Sequence, residues 1–178
     1  MLSYALIAFA NATVGPYYLL YAISIIGLTP MEWALIASLQ FLGATLKVPG
    51  GWLSDKFGKR KIMILSVLTC APFTILFALS RSFFQALTAS ILLIVTGIHF
   101  APVYQALQAD LTPRTTRGRI MSLWQISSSL STASGTLLGG FLFQTVDPTL
   151  PFYLFTAAEL IGAFFLISFV REPERKEI

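Results

Sequence analysis

Residues Gly50 to Ile62 read GGWLSDKFGKRKI, and they stand between two long apolar runs. Five charges crowd into the seven residues Asp55 to Lys61, in a chain of 178 residues that is 56% hydrophobic and 11% charged. A soluble domain carries about 25% charged residues, so this chain lacks the polar surface to face water on every side. Its mean hydropathy is +0.76, and 15 Phe, 6 Tyr and 3 Trp enlarge the apolar area. Lipid is therefore the solvent for most of its surface. The charged stretch reads as an aqueous loop joining two membrane helices, with glycines where the chain must turn.

Working outward from that loop, apolar segments long enough to cross a bilayer are counted at ~20 residues each. Six qualify. The first runs from about Ser3 to Leu28, interrupted by Asn11 and Pro16, and the second from about Met31 to Val48. The third covers about Lys61 to Leu79, the fourth Phe83 to Ala109, the fifth Ile120 to Val146 and the sixth Phe152 to Val170. Short loops make sequential helices antiparallel neighbours. The expected fold is an all-α membrane protein, one six-helix transmembrane bundle over residues 1–170, with a cytoplasmic polar tail at 171–178.

Of the 12 Lys and Arg residues, ten lie in the 56–61 and 114–119 loops and in the tail after residue 170, all on one side of such a bundle. Arg81 lies on the other side, and Lys47 lies in the second span near its basic end. Excess Lys and Arg mark cytoplasmic loops, so both termini are expected in the cytoplasm of a multi-pass protein of the cell membrane. The same asymmetry accounts for the net charge of +4 without nucleic acid as a partner, since no basic surface is interleaved with aromatic residues. The opening MLSYALIAF has no basic residue and no signal-peptide n-region. That predicts a piece of a longer chain, or a half that evolved with a partner.

Gly51-Trp52-Leu53-Ser54-Asp55-Lys56-Phe57-Gly58-Lys59-Arg60 resembles the cytoplasmic signature of the major facilitator superfamily, G-x-L-x-D-(R/K)-x-G-(R/K)-(R/K), with every fixed position filled. It falls between the second and third spans, where that family carries it. Asp55 is then a carboxylate able to pair with arginine at the cytoplasmic mouth, Arg117 or Arg119 being the expected partners. Gly58 supplies the tight turn, and Lys59, Arg60 and Lys61 anchor the third helix at the anionic inner leaflet. DLTPRTTRGRIM, Asp110 to Met121, resembles the family's linker between fourth and fifth helices. SGTLLGGFLF, Ser134 to Phe143, resembles its glycine-rich fifth helix, and Ser128, Thr132, Gly135 and Gly139 form a small-residue stripe that reads as a packing surface.

The resemblance implies one half of a twelve-helix fold built from two similar halves. Leu93 stands four residues before Gly97, where the family's antiporters place arginine in the N-terminal half, and GTLLGG lacks their proline. With the charged stop REPERKEI after the sixth span, this looks like a C-terminal half. The implied function is secondary active transport of a small solute by alternating access. It needs a second six-helix half, supplied by a homodimer or by the missing part of a longer chain. The alternative is a membrane scaffold or assembly partner with no transport cycle.

Ionisable groups at bilayer depth are costly and mark candidate sites. Glu159 lies near the middle of the sixth span, which in the family packs at the periphery. It reads either as a protonated carboxyl bonded to a neighbouring helix or as a proton or cation site. His99, the one histidine, lies in the fourth span, which lines the cavity in the family, and an imidazole exchanges protons near neutral pH. On that ground His99 is expected, ahead of Glu159, to meet the solute or a coupling proton. Asn11 and the pair Tyr17-Tyr18 flank Pro16, and either present hydrogen-bonding groups to a cavity or contact neighbouring helices. Gln40 and Gln125 are weaker candidates. A single cysteine, Cys70, supports neither a disulfide framework nor a thiolate zinc site. No G-x-S-x-G, P-loop or metal-ligand spacing occurs, so no enzyme activity, cofactor or metal is expected.

Overall fold

The first span is broken where the sequence puts its proline. A computed structural model of the chain describes residues 2–43, 45, 52, 56–97, 103–105, 108, 112–113 and 115–169. In it α1 covers Leu2–Val14, the chain turns at Gly15-Pro16, and α2 covers Tyr17–Tyr21 before a π-helical turn at Ala22–Ile26. Proline has no N–H and its ring clashes with the preceding turn, so the helix restarts there. Gly27, at φ 80°, ends the span in the left-handed conformation, and the Leu28 N–H returns to the Ala22 carbonyl at 2.9 Å.

The next helix, α3, covers Pro30–Gly43 and is opened by a reciprocal cap. The Thr29 N–H donates to Glu32 Oε2 at 2.8 Å, and the Glu32 N–H donates to Thr29 Oγ1 at 3.2 Å. Two amides that a helix start would leave unpaired are satisfied in this way. Then come α4 (Lys59–Ala78), α5 (Phe83–Gly97), α6 (Arg117–Thr145) and α7 (Leu150–Phe169). Their order follows that of the expected spans, while α3 and α5 are described only to Gly43 and Gly97, short of the expected ends at Val48 and Ala109, and no strand occurs among the described residues.

Among the described residues three segments are long and apolar enough to cross a membrane: Tyr4–Ile26, Lys59–Ala78 and Leu150–Ser168. The apolar helix Phe83–Gly97 is shorter. At 29 residues α6 has ample length, and its serines and threonines lower its hydropathy. The architecture is an all-α membrane bundle. Helix α1 packs against α6 and α7, α4 packs against α7 and α5, and α3 touches α5.

Glycine decides how closely α6 approaches α1. A Cβ built on Gly135 would stand 2.5 Å from the Phe9 carbonyl oxygen, and one on Gly139 would collide with the Thr13 backbone. Only glycine lets the two backbones meet there, and in lipid such close packing drives helix association. Away from that seam, aromatic rings fill the space between the first, third and sixth spans. Tyr18 meets Phe77 and Phe152 edge-on with centroids 5.0 and 5.3 Å away. Phe77 and Phe152 are fully buried, and such edge-to-face pairs add about 0.5–1.5 kcal/mol each beyond their burial. Tyr21 donates its hydroxyl to the Ala78 carbonyl at 2.7 Å, satisfying a group at the C-terminal end of α4 that the helix itself leaves open.

Candidate functional site

Where α1 and α6 are not in glycine contact they leave a cavity of about 800 Å³. The turn-by-turn positions Gln125, Ser128, Thr132 and Thr136 of α6 give one wall. Tyr4, Ala8, Asn11 and Gly15 of the first span give another, with Cys70 and Gly97 behind. Spacings of three and four residues keep each set on one helix face. The small-residue stripe read from the sequence therefore divides: Ser128 and Thr132 line the cavity, while Gly135 and Gly139 hold the seam.

Asn11 and Glu159 meet at this cavity. Asn11 donates from Nδ2 to Glu159 Oε1 at 3.2 Å and to its own-helix carbonyl of Ile7 at 2.9 Å. Both residues line the cavity, with Asn11 open to it and Glu159 only 3% exposed. The sequence placed Glu159 on a peripheral helix facing lipid or its neighbours. In the fold α7 packs against both α1 and α4, which turns this carboxyl inward and onto the cavity wall.

At the end of the cavity nearer the basic loops, three aromatic residues from three spans stack. Tyr4 and Tyr104 are parallel, with centroids 4.0 Å apart and planes 4° apart, and Trp124 lies 5.6 Å from Tyr104 on a tilt of 27°. Gln108 Nε2 donates to the Tyr104 hydroxyl at 3.0 Å. A second cavity of about 390 Å³ shares Asn11, Gly15, Cys70 and Gly97 with the first and is lined by Tyr18, Trp33 and Gln40 among others.

Of the other candidates, Tyr17 donates its hydroxyl to the Thr136 carbonyl at 2.8 Å and stacks on Phe143, which makes it a helix-contact residue. Its hydroxyl also occupies the space a Cβ on Gly140 would need. Tyr18 faces the smaller cavity, so the pair flanking Pro16 divides between the two roles left open by the sequence. His99 lies outside the described residues, as do Lys47, Gly51 and Asp55 of the cytoplasmic region. Lys56 stands over the Trp52 ring at 5.2 Å, and Gly58 has φ 97° at the N-terminal cap of α4. Lys59 opens α4, Arg60 donates through Nη2 to the Ile167 carbonyl of α7, and Arg117 donates to the Thr112 carbonyl at 3.4 Å beside the start of α6. Arg119 lies in the first turn of α6. Tyr4, Tyr104 and Trp124 went unnoticed as site residues in the sequence, since aromatic residues in membrane spans are usually packing or interfacial groups. Among the described residues no group of His, Cys, Asp and Glu is arranged to hold a metal.

These features define a multi-pass helical membrane protein with a partly polar cavity inside its bundle. The chain belongs to the Major Facilitator Superfamily, whose profile matches residues 1–178. It is similar to multidrug resistance protein 1 of Bacillus subtilis (strain 168), 27% identical over 128 residues, covering 72% of this chain and 32% of that protein. Probable anion transporter 6, chloroplastic, of Arabidopsis thaliana is 32% identical over 145 residues, covering 79% of this chain and 27% of the relative. The class H tetracycline resistance protein of Pasteurella multocida is 28% identical over 144 residues, covering 81% and 35% respectively. The chain thus spans roughly a third of the length of these relatives, which are named as transporters or resistance proteins.

Proposed function

We propose that this chain forms one six-helix half, in the C-terminal position, of a major facilitator-type transporter that moves a small solute by alternating access. The observation that carries this reading is the cavity of about 800 Å³, lined by amide, hydroxyl and carboxyl groups inside an otherwise apolar bundle. Polar groups in lipid need partners or water, and a solute path supplies both. Asn11, His99 and Glu159 are the residues proposed to meet the solute or a coupling proton. The relatives' names range from multidrug and tetracycline resistance to anion transport and do not by themselves choose a substrate. The second half closes the side of the cavity that one bundle leaves open, as a second copy or as the remainder of a longer chain.

In this reading the basic loops and both termini face the cytoplasm. Asp55 closes the cytoplasmic mouth by pairing with Arg117 or Arg119, while Gly51 and Gly58 allow the helices to approach and turn. Solute uptake into vesicles reconstituted with the full-length protein tests the transport reading, with Asp55→Asn expected to lower uptake more than it lowers expression. Assembly without any solute flux favours the scaffold alternative. For topology, a cysteine at Arg175 in a Cys70→Ala background should resist an impermeant thiol reagent while one at Arg81 labels. The reverse pattern inverts the orientation.

A further inference from the structure

We infer that the cavity takes an organic cation with a flat or bulky apolar body, the positive centre lying at Glu159 and the body against the stack of Tyr4, Tyr104 and Trp124. The inference rests on reading this cavity as the solute path and adds the class of solute. Its charge argument is local. Glu159 is the one carboxyl side chain among the described residues that line the cavity, and no Lys, Arg or His is among them. The carboxyl is 3% exposed, and its only hydrogen bond among the described residues comes from Asn11. In such a poorly hydrated place a ligand cation within contact stabilises the ionised carboxylate, whereas a ligand anion is repelled by it.

The shape argument comes from the other end. Tyr4 and Asn11 share α1 and are seven residues apart, about 10 Å of helix rise. The carboxyl and the aromatic stack are thus separated by roughly the length of a drug-sized molecule, and about 800 Å³ is a volume such molecules fill. Ring faces attract both apolar bodies and cations. Asn11, Gln125 and Thr132 on the cavity wall offer hydrogen bonds that orient a ligand without selecting charge.

Cys70 provides the assay, because it lines the cavity and is the chain's one cysteine. In lipid nanodiscs holding the full chain, alkylation of Cys70 by a maleimide is timed with benzyltrimethylammonium or with phenylacetate present. Protection by the cation at concentrations at least about tenfold lower than the anion is the expected result. Glu159→Gln, whose amide oxygen can still accept from Asn11, should erase that preference. Tyr104→Leu should keep the sign of the preference while weakening benzyltrimethylammonium towards the level of tetramethylammonium. Equal protection by both ions, better protection by phenylacetate, no protection by either, or a preference kept in Glu159→Gln overturns the proposal. Cation protection without solute flux in the reconstituted transporter would sink the transport reading and leave the site standing. Flux of an aromatic anion blocked by Cys70 alkylation would do the opposite.

Discussion

The first and fifth spans touch in two ways, and the contrast separates what holds this bundle together from what it can bind. Along Gly135 and Gly139 the backbones meet with no room for a methyl group, and each position has one acceptable residue. Along Gln125, Ser128, Thr132 and Thr136 the same helix faces open volume, and several side chains of similar size would serve. Both stripes are built from small or polar residues at helical spacing. Only the partner surface, Phe9 and Thr13 on one side and Asn11 and Tyr4 on the other, tells them apart.

The sharpest way to break the contrast is to put bulk on each stripe. Gly139→Val drives two methyl groups into the Thr13 backbone and should cost about 3 kcal/mol or more, the upper range for overpacking. Thermal unfolding in detergent should show a large fall in Tm or a loss of the monodisperse species. A normal Tm would mean the seam is looser than described.

A medium effect is expected in the aromatic cluster around Phe77 and Phe152. Tyr21→Phe removes the 2.7 Å bond to the Ala78 carbonyl and leaves a buried acceptor unpaired, at a cost of about 1–2 kcal/mol. Its readout is the same melt, with amide exchange near Leu79 rising if the end of α4 frays. On the cavity wall Thr132→Val adds no comparable clash, since Thr132 is exposed to the cavity. Stability should move by less than about 0.5 kcal/mol, while ligand protection of Cys70 changes. A drop as large as that of Gly139→Val would erase the distinction between seam and wall.

The smallest expected effect lies outside both regions, in the loop before α7. Asp147 accepts from the Thr149 N–H at 2.7 Å and from the Thr149 hydroxyl at 2.5 Å, and these bonds hold its carboxyl below the ordinary value of 3.8. A lowered folded pKa gives stability that is present above the unfolded pKa and lost as pH falls through the folded one. The turn should therefore persist on mild acidification and loosen only below the ordinary carboxylate range. Thr149 amide exchange across an acid titration checks this, and loosening at higher pH would contradict it.

Most of the helix order was legible in the chain because membrane spans are long and announce themselves by composition. Helix ends followed from Gly58 and the basic loops, and the seam from Gly135 and Gly139. The cap formed by Thr29 and Glu32 is also written in TPME, with a proline between the two capping residues. The site was harder. Asn11 and Glu159 are 148 residues apart, and nothing local in either span announces the other. Family likeness ranked Glu159 behind His99, yet a helix peripheral in general still turns one face inward. The Tyr4, Tyr104 and Trp124 stack draws on three spans, so no periodicity within any one of them could reveal it.

The break at Gly15-Pro16 has a mechanical consequence. Below it, α1 is fastened to α6 and α7 through glycine contacts and the Asn11–Glu159 bond. Above it, Tyr18 and Tyr21 tie the chain to the third and sixth spans through Phe77, Phe152 and the Ala78 carbonyl. The span is two rods in series, each clamped to its own neighbours, with a joint between them that lacks one backbone hydrogen-bond donor. A lever of this design bends first at the joint. Gly15 and Pro16 line the cavity wall, so a load applied to the cavity-side rod would be absorbed there before it reached the aromatic clamp.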